Sequence, residues 1–339
     1  VAGSGVLTSI DETSMPRQLV NTGLNNFTFQ PMGLDIRKAG DLSSNPNPSF
    51  VGKRINNLFT FKSRLGILTN SDVVMSETNF GSFTTEQNFN FFRTSTRTLL
   101  DADRIDVSVA SKKVVNLKAA EAFQGSLILF ADEQQFALKG GDLLTPKSVA
   151  INPVTAFEYE SSVEPLALGS YLYFPFNRGN FSGLKEFTTN TNTSVYEAKE
   201  ITEHVPQYIP SNLKSITGSD TEGYLATSDG TDIYMYKYFF SGNQKAVSSW
   251  SKFIISGTIV DIQFIDAVLY AIVIKENQTH ILKLNLESRH RDVEGYTTHL
   301  DFRRKDTILA NQSSVSIRLP FVLSTDDELM AISTSGELL

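Results

Sequence analysis

The chain has 339 residues, 40% of them hydrophobic and 20% charged, which is enough apolar material for a large core and, by length alone, about two domains. It carries 24 Phe, 11 Tyr, one Trp and no cysteine, so disulfides, thiolate zinc sites, iron–sulfur clusters and cysteine nucleophiles are excluded. The formal net charge of −7 runs against a grip on nucleic acid, which calls for a basic surface; DNA meeting this chain is expected to slide past it.

Residues 1 to 47 read as a connecting segment with one strand, Asn26-Phe27-Thr28-Phe29. A polar stretch follows and ends in Asn45-Pro46-Asn47-Pro48, where the prolines disfavour helix and favour an extended connector. The opening residues lack the basic and apolar regions of a signal peptide, and no apolar run reaches the ~18 residues needed to span a membrane. The chain starts without Met and stops abruptly at Glu337-Leu338-Leu339, so it is read as a piece of a longer protein.

From Pro48 onward one unit recurs: an apolar run, a polar break, a second apolar run. Its copies begin at Arg64 (RLGILTNSDVVMSE), Ser126, Ser170, Glu222 and Asp266, with starts 62, 44, 52 and 44 residues apart. The breaks hold turn formers, including Asn70-Ser71, Asp132-Glu133, Arg178-Gly179-Asn180, Asp229-Gly230 and Glu276-Asn277. Asp229-Gly230 is the strongest hairpin signal, because both residues tolerate positive φ. Helical periodicity is scarce, with short candidates only at Thr94–Leu100 and Ser211–Ser215.

A hairpin every 45 to 60 residues matches the spacing of propeller blades. Blades pack on both faces, which accounts for nearly continuous apolar runs such as Val268 to Ile274. The expected architecture is mainly β: a β-propeller-like domain of antiparallel hairpin blades over 48–288, preferred to two or three sandwiches in series. After about 288 the chain turns charged and then offers strands at Val315–Leu319 and Leu329–Ser333. Residues 289–339 are read as closing the propeller or starting a further domain.

No catalytic constellation emerges. His204, His280, His290 and His299 share no metal-ligand spacing, and the acidic clusters Asp101/Asp103, Asp132-Glu133 and Asp326-Asp327-Glu328 fall where solvated turns are expected. Ser219 to Gly223 and Ser228 to Asp232 fall short of a calcium loop. Gly3-Ser4-Gly5 and Lys139-Gly140-Gly141 lack the context of a phosphate cradle, and there is no nucleophile elbow or dinucleotide fingerprint. Arg289-His290-Arg291 and Arg303-Arg304-Lys305 read as solvated charge, and sequons such as Asn277-Gln278-Thr279 matter only in a secretory pathway. No catalytic, cofactor-binding or metal-binding residues are therefore expected, and no enzymatic activity.

Several segments, in order, resemble the tail nozzle (tail tubular protein B) family of short-tailed bacteriophages. They are Asn45 to Phe61 with RLGILTNSDVVMSE, Ile105 to Ala110, Ser126 to Asn152, Ile201 to Pro210, Tyr234 to Tyr238, Ser248 to Ser251, and the hairpin Val268 to Leu286. The resemblance covers roughly residues 45 to 300 and implies the central portion of a nozzle subunit. It further implies a homohexamer ring at the distal end of the tail, below the tail adaptor protein, that helps hold a tail fibre protein. Genomic DNA would pass through the lumen without sequence-specific binding, in a virion assembled from protein made in the host bacterial cytoplasm. A phage-tail propeller that binds or cleaves glycans is the alternative; it needs aromatic platforms and paired acids in a cleft. The lone Trp250 is expected to be a core or inter-blade anchor. Arg64 is expected either to pair with a buried carboxylate or to touch a neighbouring subunit.

Overall fold

The computed structural model describes residues 7–78, 89–141, 143–189, 195–242 and 244–286. The chain divides into two compact units, 1–288 and 289–339, and the second lies outside the described residues, as do the strands anticipated at Val315–Leu319 and Leu329–Ser333. Every element below belongs to the first unit.

Its architecture is β-propeller-like. A ribbon of β1 (Arg17–Gly23) and β2 (Asn26–Pro31) precedes five antiparallel sheets. Sheet one holds β3 (Asn57–Phe61), β4 (Arg64–Thr69), β5 (Asp72–Met75) and β6 (Ile105–Ser108). Sheet two holds β7 (Leu117–Phe123), β8 (Ser126–Ala131), β9 (Gln135–Lys139) and β10 (Ala150–Thr155). Sheet three holds β11 (Leu166–Leu168), β12 (Tyr171–Arg178), β13 (Phe181–Thr189) and β14 (Tyr196–Glu200). Sheet four holds β15 (Ser215–Ser219), β16 (Tyr224–Ser228), β17 (Asp232–Ser241) and β18 (Gln244–Ile254). Sheet five holds β19 (Thr258–Ile265), β20 (Val268–Lys275) and β21 (Gln278–Asn285). Within each sheet the strands pair in chain order, so each of the five sequence hairpins is a second-and-third-strand pair.

The sheets stack through separate apolar layers. Phe59, Leu68 and Met75 of sheet one meet Leu127, Leu129 and Phe136 of sheet two. The other face of sheet two (Ile128, Phe130) meets Leu172, Phe174 and Phe187 of sheet three. Tyr173 and Leu184 then meet Leu225, Tyr234 and Tyr236, and Ala226 and Met235 meet Phe264, Leu269 and Val273. Because both faces of a blade are covered, β4 and β8 are buried at every position. Phe174, edge-on to Phe130 at 5.1 Å, is fully buried, and burying such a side chain stabilises the fold by about 1.5–3 kcal/mol.

First strands neighbour first strands: β3 with β7, β7 with β11, β11 with β15, β15 with β19. These are the innermost strands, as in a propeller. The outer face of sheet one is covered by the amino-terminal segment, where Ile10, Met15, Met32, Leu34 and Phe50 pack on Leu65, Ile67 and Val74.

Three local readings change. Thr94–Leu100 is not helical, because the buried Asp103 carboxylate accepts from the Thr94 amide (3.1 Å) and hydroxyl (2.8 Å) and from the Leu100 amide (2.8 Å) and folds the stretch into bends. At Ser211–Ser215, Asn212 sits at φ +64° and Ser215 opens β15. The stretch ending at Pro48 is a knot of turns: the buried Asn45 side chain donates to the Ala39 and Arg93 carbonyls and accepts from the Arg93 amide. The single strand expected at Asn26–Phe29 has a partner, β1.

Candidate functional site

The innermost strands converge on a recess of about 440 Å³ at the propeller axis. Glu121 comes from β7, Glu164 and Leu166 from the entry to β11, Lys214 from the residue before β15 and Ile216 from within it, and Asp261 and Gln263 from β19. Burial pushes the Glu121 carboxyl up to about 7, against a hydrogen bond from the Ala167 amide that favours the charged form; nearby Glu164 adds to the rise. Glu164 accepts from Asn57 Nδ2 at 2.7 Å, so it ties the entry of blade three to the first strand of blade one. The recess is a polar, predominantly acidic axis. Among the described residues no group of three His, Asp or Glu side chains is placed to hold a metal ion.

Around the axis, charged side chains act as internal braces. Arg64, in the Arg64–Met75 hairpin, is wholly buried. Its Nη1 donates to the carbonyls of Ser76 (2.7 Å), Asp103 (2.7 Å) and Ala102 (3.3 Å), and its Nη2 to those of Asp101 (3.0 Å) and Leu144 (3.4 Å). Neither alternative anticipated for it describes this: it binds main-chain oxygens, with Glu77 and Asp103 contributing at longer range. Burial lowers its pKa from the ordinary guanidinium value. Arg104 is held in the same manner by the Phe91 and Pro46 carbonyls, each at 2.7 Å.

Between blades three and four, Lys245 Nζ lies 2.8 and 2.6 Å from the two oxygens of buried Glu186, inside an aromatic box that includes Tyr171, Tyr236 and Phe240. Glu186 also accepts from the Tyr173 hydroxyl at 2.9 Å. Burial works against the ammonium, but the Glu186 bonds outweigh it and the Lys245 pKa is raised. Trp250 packs on Tyr236 at 5.0 Å, and its Nε1 donates to the Ile201 carbonyl at 3.0 Å, which anchors blade four to the segment that follows blade three.

The sequence-predicted candidates are scattered. His204 and His280 are exposed; His290 and His299 lie outside the described residues. Asp132 and Glu133 are exposed and pair with Lys118 (3.7 Å) and Lys113 (3.0 Å). Asp103 departs from the expected solvated turn charge, since it is buried and organises the 94–100 bends. In the Ser228–Asp232 turn, Asp229 Oδ1 accepts from the Thr231 and Asp232 amides, which spends it on turn geometry. Gly140 and Gly141 follow the end of β9 in a loop, and Asn277 sits at φ +60° in the β20–β21 turn. Asp326–Glu328, Gly3–Gly5, Arg289–Arg291 and Arg303–Lys305 lie outside the described residues. Sequence reasoning missed Glu121 and Lys245. The one available signal for Glu121 was an acid in the middle of the apolar strand LKAAEAF.

The family model described as "Bacteriophage nozzle protein" matches residues 1–335. The chain is 33% identical over 303 residues to the tail tubular protein gp12 of Escherichia phage T7, covering 87% of this chain and 37% of that protein. It therefore spans little more than a third of that relative. Among solved structures it is similar to Kluyveromyces lactis Hsv2p (13% identity, TM-score 0.37, 73% of this chain and 79% of that one). It is also similar to the β-propeller domain of Myceliophteria thermophila Cps50 (9% identity, TM-score 0.40, 66% and 67%). A family match along nearly the whole length, on a chain of stacked antiparallel blades, assigns it: the chain belongs to the bacteriophage nozzle protein family.

Proposed function

We propose that this chain is a structural, non-enzymatic part of a phage tail nozzle subunit. Six copies form a ring at the distal end of a short tail, below the adaptor. The ring surrounds the path by which genomic DNA leaves, and its outside helps seat the tail fibres. The family match over residues 1–335 carries this reading.

The physical features of the chain suit the role. Blades braced by buried Arg64, Lys245 and Trp250 make a stiff wall, and propeller architecture leaves only short strand edges. A net charge of −7 disfavours adhesion of a polyanion in transit. Heterologous contacts that close generate a ring from identical subunits. Made in the host cytoplasm, the subunit would function in the virion.

Imaging of tails that contain this chain tests the proposal. Six copies around the tail axis, next to the DNA path, are expected. Copies placed off the axis, or a purified chain that cleaves glycans, would replace it with the carbohydrate-directed alternative.

A further inference from the structure

A second recess, of about 340 Å³, opens where the chain enters the inner strands of blades one to three. It is lined by Arg54 and Asn56 before β3, Asn70 from the β4–β5 turn, Asn116 and Lys118 at the start of β7, and Ser161 from the approach to β11. The backbone around it is tied together: Asn56 Nδ2 donates to Asn116 Oδ1 (2.9 Å) and to the Leu117 carbonyl (2.8 Å), and the Leu117 amide donates to the Asn70 carbonyl (2.5 Å). With Asn116 Oδ1 occupied, that amide has its Nδ2 left to offer. Arg54, Ser161 and the Asn70 side chain make no hydrogen bond or ion pair among the described residues. Among the described residues Lys118 makes one ion pair, with the exposed Asp132 at 3.7 Å. The recess thus gathers a guanidinium, an ammonium, three amides and a hydroxyl around a polar space lined by no carboxylate.

We propose that this recess is a docking site for a carboxylate of an acidic protein segment. A guanidinium with flanking N–H and O–H donors is the arrangement that binds an oxyanion by charge-assisted hydrogen bonds. No aromatic side chain lines the recess, so it offers no stacking platform for a sugar ring or a base. A nucleic-acid strand supplies an oxyanion too, but it is charged along its whole length. Ser161 lies three residues from Glu164, whose axial recess also holds Glu121 and Asp261, and the chain as a whole carries −7. A short acidic segment places its charge on the donors and avoids that repulsion.

The test is fluorescence anisotropy on the 339-residue chain with two labelled probes, a six-residue Gly/Ser peptide with two adjacent central glutamates and an oligothymidylate of equal length. Saturable binding of the peptide is expected, weakened by salt and reduced about tenfold or more in Arg54→Glu. Lys62→Glu, in the β3–β4 turn at the far end of the same sheet, keeps native affinity and shows that a loss is local. Absence of saturable peptide binding overturns the proposal, as does an Arg54→Glu affinity equal to native. Tighter binding of the oligothymidylate overturns it in favour of a phosphate site. The isolated chain is sufficient for this measurement, so failure of the recess and failure of ring assembly give different results.

Discussion

Replacing Arg64 by Met removes the guanidinium while keeping an unbranched apolar stem. Three of its bonds are short, to the Ser76 and Asp103 carbonyls at 2.7 Å and to Asp101 at 3.0 Å, and each hydrogen bond to a charged donor contributes about 1.5–3 kcal/mol. Against that gain stands the desolvation of a fully buried cation, whose Nε finds no partner among the described residues. Truncation removes the cation but leaves the carbonyls orphaned in the interior, so the net loss is about 3–5 kcal/mol. For a chain of this size that corresponds to a fall in Tm of roughly 4–7 °C. Arg64→Lys recovers only part, because a compact ammonium on a shorter stem cannot reach carbonyls on both sides as a planar fork does. Circular dichroism melts of the native chain and both variants decide it. An Arg64→Met protein melting within about 1 °C of native would refute the assignment of Arg64 as the brace between the first hairpin and the 101–103 and 144 segments.

Glu121→Gln tests the axial acid. The folded-state pKa of Glu121, at about 7, lies above its unfolded value of about 4.5, so the folded protein binds the proton more tightly. Its contribution is fully present below pH ~4.5 and is lost as pH rises through ~7. The stability advantage of Glu121→Gln over native should therefore open across that window, to at most about 3 kcal/mol at pH 8, in denaturant titrations at several pH values; a pH-independent gap would refute it. Gly66→Ala would place a Cβ 2.0 Å from the Phe59 ring, directly across the β3–β4 pair. The variant should lose about 1–3 kcal/mol, measured by urea unfolding, and Phe59→Leu in the same chain should relieve part of that loss. Lys245→Met leaves the Glu186 charge buried beside Tyr173 and should cost about 3–5 kcal/mol. The double variant with Glu186→Gln should be the more stable of the two, and additive losses in the thermodynamic cycle would count against the inter-blade latch.

The propeller was legible because its evidence is local. Each central hairpin carries its own turn chemistry, and its runs are apolar on both faces because blades cover both. The first strands were harder to see. β11 is three residues long, and β7 interrupts its apolar pattern with Glu121, which faces the polar axis, and with Lys118, which lines the second recess. The failed helix at Thr94–Leu100 had compatible residues, but the Asp103 carboxylate captured the amides at both ends.

By itself the sequence determined the class of fold, the five hairpins, the want of any recognisable catalytic motif and the family. Tertiary structure alone decided what fills the spaces between them. The Arg64 carbonyls lie 12, 37 to 39 and 80 residues from the guanidinium, and the axial acids Glu121, Glu164 and Asp261 lie 40 or more residues apart in the chain. The cap on blade one is built from Ile10, Met15, Met32 and Leu34, which share no period. Main-chain oxygens leave no mark in the order of side chains, and non-periodic apolar residues become a surface only when the chain has already brought them together.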